Sequence, residues 1–139
     1  MQTDLERNKA AVVRFNRDVI ERGDEAAAAE LLDPEFVNRT APPGVNPGPD
    51  GMISFLVRVL RPALAELSVE IHDQIAETDR VVTRKTIRGV HRGPLLGVEA
   101  TGKRVAIEVI DIVRLRNGRY LEHWGSNNLP AVLAALAER

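Results

Sequence analysis

The sequence predicts an α+β fold in which a curved antiparallel sheet packs on N-terminal helices around an apolar pocket. Three observations predict it. Apolar residues recur at helical spacing in three segments before Leu67. Four segments from Leu67 onward alternate at period two. The stretch from Val105 to Trp124, VAIEVIDIVRLRNGRYLEHW, carries an Asn-Gly turn between two of them. Helices followed by a run of strands give segregated layers. A sheet bent over a helical backing is a cone with one open end, and a ligand pocket belongs in that opening.

Residues 4–22 read as a helix, with Ala11, Val12, Phe15, Val19 and Ile20 on one face. Gly23 ends it. Asp24 is the expected N-cap of a second helix, Glu25 to Leu32, because its carboxylate accepts free N–H groups of the first turn. Asp33-Pro34 stops that helix, since the residue before proline is driven out of the α region, and Glu35 to Arg39 reads as a short strand. Thr40 to Asp50, TAPPGVNPGPD, holds four of the eight prolines and reads as a loop over the pocket mouth. A third helix, about Gly51 to Glu66, carries Ile53, Leu56, Val57, Leu60 and Leu64, with Pro62 set to kink or shorten it.

Leu67 to Glu77 sets Leu67, Val69, Ile71, Asp73 and Ile75 against Ser68, Glu70, His72 and Gln74; His72 reads as solvated. Arg80 to Val90 follows the Thr78-Asp79 turn, and its Arg84, Lys85 and Arg88 read first as a solvated strand face, with the lining of a polar cavity or interface, or a clamp for a substrate carboxylate, as the alternatives. Gly89 to Gly102 is a glycine-rich connection. Lys103 to Arg116 places Val105, Ile107, Val109, Asp111, Val113 and Leu115 on one face. Asn117-Gly118 tolerates the positive φ angles of a type I′ turn. The return strand puts Leu121, His123 and Gly125 on one face and Tyr120, Glu122 and Trp124 on the other. A closing helix, Asn128 to Glu138, has Asn128 as its expected cap and Pro130 in its first turn.

At 139 residues and 15.3 kDa the chain is expected to form one domain, 1–139. A net charge of −1 and a pI of about 6.3 give no basis for a nucleic-acid or membrane partner. Cysteine is absent, which excludes disulfides and thiol catalysis. No apolar run approaches the ~20 residues of a membrane span, and the N-terminus lacks a signal-peptide core, so a cytoplasmic location is expected. The three histidines have no HxH or HExxH spacing, and no P-loop or dinucleotide fingerprint is present; neither a metal nor a cofactor is expected.

Asp111 is the one ionisable residue on an otherwise aliphatic strand face, and His123 lies across the turn on a face that meets it. Burial among Val and Ile raises a carboxyl pKa toward neutrality, so the two read as a proton-transfer pair. The alternative is a structural ion pair with a strand neighbour such as Arg84 or Arg104. Asn38 reads either as an amide for a substrate oxygen or as a partner of local backbone. His91 is either a substrate contact near the mouth or an exposed loop histidine. Trp124 completes the candidate substrate-binding set, with packing between the sheet and a neighbour as the alternative.

The segments NKAAVVRFNRDVIERGD, LLDPEFVN, GVHRGPLLGVEATGKRV and DIVRLRNGRYLEHWGSNNL, in this order and spacing, resemble the SnoaL-like polyketide cyclases of the NTF2-like superfamily over about Asn8 to Leu136. The resemblance implies an NTF2-like cone and a cofactor-free intramolecular aldol cyclisation of a hydrophobic, polyketide-like small molecule. It also implies a homodimer or homotetramer packed through the sheet, for which Ile110 and Ile112 face away from the pocket. Asn38 matches the family's pocket asparagine, and His123 in EHW its last-strand histidine. The family's catalytic aspartate falls two residues later, where this chain has Gly125, and a pocket histidine falls where this chain has Asp111. Hydroxylation, epoxide opening and a non-catalytic small-molecule or protein-binding module are the alternatives; an open cone favours a ligand, a filled one the protein-binding module.

Overall fold

The structure, a computed structural model, describes residues 2–138. Helix α1, Asp4–Arg14, opens on a capping box in which Thr3 Oγ1 accepts from the Glu6 N–H and the Glu6 carboxylate accepts from the Thr3 N–H. It runs directly into a π-helical segment, Phe15–Glu21. Helix α2, Glu25–Leu31, is capped by Asp24, whose Oδ1 accepts from the Ala27 N–H at 3.1 Å. Strand β1, Leu32–Asn38, begins at once, earlier than expected. Pro34 therefore sits inside a strand, tolerated because β1 is at the sheet edge and a missing N–H there breaks no ladder.

Helix α3, Pro49–Ile53, leads into a second π-helical segment, Ser54–Leu60, and then α4, Arg61–Ala63. The helix expected to reach Glu66 thus ends at Ala63. Pro62 has no N–H to donate back to the preceding turn, and Leu64 is already extended at φ −115°, ψ 108°. Four long strands follow: β2, Leu64–Glu77; β3, Arg80–His91; β4, Arg104–Arg116; and β5, Arg119–Asn127. The β4–β5 turn has the predicted type I′ signature, with φ 54° at Asn117 and 76° at Gly118.

The fold class is α+β, as predicted, and the sheet is curved with strand order β1-β5-β4-β3-β2. Strands β2 to β5 form an antiparallel meander, and β1 adds to β5 in parallel, so the sheet is mixed. Its concave face packs on α1 and the π-helical segments through a core that includes Val12, Phe15, Val19, Leu60, Val81 and Val113. Helix α5, Leu129–Ala137, closes over this face and buries Leu136. Asn128 holds the N-cap position, as expected, but its side chain makes no capping bond. Asn128 Oδ1 instead accepts from the Glu108 N–H, pinning the helix to β4, and Asn127 Oδ1 takes the Leu129 N–H.

Two bulges invert the alternation read from the sequence. In β2, Ile71 pairs with Lys85 and Asp73 with Arg84, which leaves His72 as the extra residue. Beyond it Gln74 and Ala76 pair with the fully buried Thr83 and Val81, while Ile75, expected inside, is 65% exposed. His72 is half-buried and bonds Thr86 Oγ1 at 2.7 Å rather than standing in solvent. In β5, Arg114 pairs with Glu122 and Leu115 with Tyr120, so Leu121 is the extra residue. Tyr120, expected on the outer face, is consequently buried on the inner one.

Candidate functional site

The concave side holds an open cavity of about 330 Å³, so the cone is not filled by its own side chains. Both π-helical segments line it, through Phe15 and Ile20 from the first and Phe55, Leu56 and Leu60 from the second. A wide turn shifts the side chains after it relative to an α-helix, and such turns concentrate at functional sites. The proline-rich loop supplies Thr40, Pro42, Val45 and Asn46 at the mouth, as expected of that segment.

Among these apolar walls stands one connected set of polar groups. Asp111 is 6% exposed. Its Oδ2 lies 3.4 Å from His123 Nε2 and 3.5 Å from Lys85 Nζ. Its Oδ1 is buried with no hydrogen-bond partner among the described residues. His123 turns Nδ1 to Asn38 Oδ1 at 2.9 Å. The parallel β1–β5 pairing, Asn38 opposite His123, delivers that bond. Asn38 Oδ1 also accepts from the Thr40 N–H and Oγ1–H, both at 3.2 Å, so the amide both braces local backbone and orients the imidazole. The structure brings Asp111, His123 and Asn38 together; the bond between Asn38 and the imidazole is not one the sequence reading gave.

Lys85 overturns the first expectation for its strand face. Rather than standing in solvent, it is 4% exposed and lines the cavity. Arg84 and Arg88 do face outward, paired with Asp73 and Glu70. Alternation sends Lys85 inward with Thr83 and Ile87. Since Thr83 pairs with Asp111 and Lys85 with Val109, Lys85 and Asp111 are diagonal neighbours on one face. That register was the signal available to sequence reasoning. Lys85 Nζ donates to Asn16 Oδ1 at 2.7 Å, and the Asn16 amide donates to Val12 O at 2.8 Å, so the first π-helical segment clamps the lysine head.

Two candidates fall outside the cavity lining. His91 is neither a substrate contact nor an exposed loop residue. Strand β3 extends through it, its ring is fully buried, and Nδ1 lies 3.0 Å from Thr101 Oγ1 and accepts from the Thr101 N–H. Trp124 pairs with Ile112 on the outer face, where the Arg80 guanidinium stands 5.5 Å from its ring centre. Tyr120, by contrast, lines the cavity and stacks on Phe15 at 4.3 Å between ring centres. Its phenol is pushed well above 10, first by burial and then by the Asp111 charge, which keeps it a hydrogen-bond donor.

The electrostatics of Asp111 also differ from expectation. Burial alone drives its carboxyl upward from the ordinary 3.8 and is the largest single influence. The charges and hydrogen bonds of Lys85 and His123 together outweigh it, and the net direction is downward. The group is therefore a carboxylate at neutral pH.

Gly125 sits directly across from Asp111. A Cβ at this position would lie 2.8 Å from His123 Cε1 and 3.4 Å from Nε2. The imidazole thus occupies the space of a side chain at 125. A side chain there would require the ring to shift from its present place beside Asp111.

The SnoaL-like polyketide cyclase family model matches residues 10–136. No curated protein matches the sequence. Among solved structures, TsrD from Streptomyces laurentii is 28% identical over 99% of this chain and 100% of its own, with a TM-score of 0.85. AclR from Streptomyces galilaeus, for which a hydroxylase activity has been put forward, is 26% identical over 95% of this chain and 96% of its own, with a TM-score of 0.81. A Jannaschia sp. CCS1 protein put forward as a SnoaL-like polyketide cyclase is 23% identical over 100% of this chain and 97% of its own, with a TM-score of 0.85; it supports the fold alone.

Two predictions follow from the geometry. Because the folded Asp111 value lies below the unfolded one, its stabilising contribution is complete above pH 3.8 and is lost as the pH falls through the lower, folded value. The stability difference between wild type and Asp111→Asn, from urea unfolding at each pH, should be constant above 3.8 and narrow below it. A difference that changes only above that pH would reverse the assignment. Gly125→Ala should displace the His123 ring, changing its imidazole nitrogen chemical shifts while the circular dichroism stays native. Unchanged nitrogen shifts would show that the ring does not depend on the missing Cβ.

Proposed function

The chain belongs to the SnoaL-like polyketide cyclase family, and on that premise we propose that it is a cofactor-independent enzyme closing a ring in a hydrophobic, polyketide-like molecule by acid/base catalysis. The observation that carries this reading is the ionised Asp111, held beside His123 in an open apolar cavity with one carboxylate oxygen unpartnered. Asp111 Oδ1 accepts the proton from a carbon next to a carbonyl. The electron pair left on that carbon forms the new C–C bond to a second carbonyl carbon in the same molecule. The oxygen of that carbonyl becomes an alkoxide and is protonated within the site, by the proton shared between Asp111 and His123. The reaction is an isomerisation and consumes no second reagent. Apolar walls serve it twice: they take the substrate's flat body, and they exclude water that would weaken the charges or quench the carbanion.

In this reading Asn38 is a positioning residue that holds the imidazole, and Gly125 leaves the ring its room. The acid/base group stands on β4, across the ladder from the position at which the family resemblance places it. A second reading, hydroxylation of the same kind of molecule, is favoured by the likeness to AclR.

Asp111→Asn should slow exchange of α-protons for solvent deuterium in an enolisable aromatic ketone by about 10²- to 10⁴-fold, the usual worth of a positioned general base. Nuclear magnetic resonance reads the exchange directly. An unaltered exchange rate would remove Asp111 from the role. Uptake of isotopic oxygen from labelled dioxygen into the product would decide for hydroxylation.

A further inference from the structure

Lys85 is a cavity residue that the acid/base pair does not itself require. An ammonium has three N–H bonds. One is taken by Asn16 Oδ1 at 2.7 Å. A second is directed at Asp111 Oδ2, but at 3.5 Å this contact is longer than the ~2.7–2.9 Å of a charged hydrogen bond. The third has no acceptor among the described residues. Asp111 Oδ1 meanwhile has no donor. Were the two groups only a structural ion pair, the shortest lysine contact should fall on the carboxylate, and both its oxygens should be satisfied. Instead the neutral amide of Asn16 holds the lysine head slightly away. A donor valence and an acceptor valence are left unfilled side by side, on two residues that both line the cavity.

We propose that Lys85 Nζ and Asp111 Oδ1 together form a subsite for an enolisable carbonyl, the carbonyl oxygen docking on the ammonium and the adjacent C–H on the free carboxylate oxygen. The inference rests on the acid/base reading above and adds to it a residue and a substrate requirement. As the proton moves to Oδ1, the C–H electron pair becomes the enolate C=C, and the carbonyl π pair moves onto the oxygen beside Lys85. Charge therefore develops next to a fixed cation in a water-poor site, where such stabilisation is strongest. Lys85 is the cation beside Asp111 in otherwise apolar walls, so the subsite suits a carbon flanked by two carbonyls, whose enolate charge spreads toward the lysine. The ligand class is a flat, apolar β-dicarbonyl compound, and its enolate, spread over two oxygens, is the form that Lys85 binds most tightly.

The test is equilibrium binding of benzoylacetone, whose enolate and neutral enol differ in ultraviolet absorption, with the monoketone butyrophenone as the control. Wild type should bind benzoylacetone as the enolate at a pH where the free compound is neutral. Lys85→Met should lose the enolate signal and weaken binding on the order of 10- to 100-fold, as for loss of a hydrogen bond to a charged group. Butyrophenone should bind both proteins alike. If Lys85→Met does not fold, the double variant Lys85→Met/Asp111→Asn, which removes both buried charges, takes its place. Benzoylacetone bound as enolate by the lysine-free protein would overturn the proposal. So would a borohydride-reduced adduct on Lys85, since that requires the amine as nucleophile rather than as a charge. Asp111→Asn separates the two readings: it should still bind the enolate while losing deuterium exchange. Retained exchange in that variant would sink the base assignment and leave the lysine subsite standing.

Discussion

The structure depends on how one buried carboxylate is accommodated. Asp111 stands on a strand face of valines, one isoleucine and a leucine, where an isolated charge would be driven to neutralise. It stays ionised because two groups converge on a single oxygen, Lys85 from the neighbouring strand and His123 from the other side. Each of these is held in turn. Asn16, from the π-helical continuation of α1, fixes the lysine head, and Asn38, from the edge strand, fixes the imidazole. The polar chain from Val12 O through Asn16, Lys85, Asp111 and His123 to Asn38 spans the hollow from the helical layer to the sheet edge.

This chain explains features of the fold that otherwise look incidental. The π-helical stretch in α1 carries Asn16 at the level of the third strand. The parallel addition of β1 to β5 sets Asn38 opposite His123, which an antiparallel sheet alone would not provide. The glycine at 125 leaves the space that the histidine ring occupies. Against the pattern the family resemblance implies, the last-strand histidine is kept, and the carboxylate lies at Asp111 on β4, directly across the ladder from Gly125.

Much of this was legible in the residues. The α+β order, the Asp24 cap, the Asn117-Gly118 turn, the loop of prolines at the mouth and the Asp111–His123 pairing all follow from local chemistry and periodicity. Where the reading failed, it failed for definable reasons. Period-two alternation holds only while a strand has no extra residue. His72 and Leu121 each interrupt a ladder, and beyond them Ile75 turns out and Tyr120 turns in. Lys85 was read by its charge rather than by its register, though its strand partners place it beside Asp111. His91 was read by its glycine-rich surroundings, but β3 extends through it and buries it.

By itself, then, the amino-acid order determined which segments are helix and strand, that they form a cone, and that a carboxylate and an imidazole share its interior. Those properties are local or periodic, and hydrophobic spacing specifies them without knowledge of distant partners. Tertiary structure alone decided that Asp111 is ionised, that Lys85 lies beside it in the cavity, and that Trp124 and His91 fall outside the cavity lining. The reason is that a buried charge takes its protonation state from whatever lies within a few ångströms, and those neighbours come from helices and strands far away along the chain.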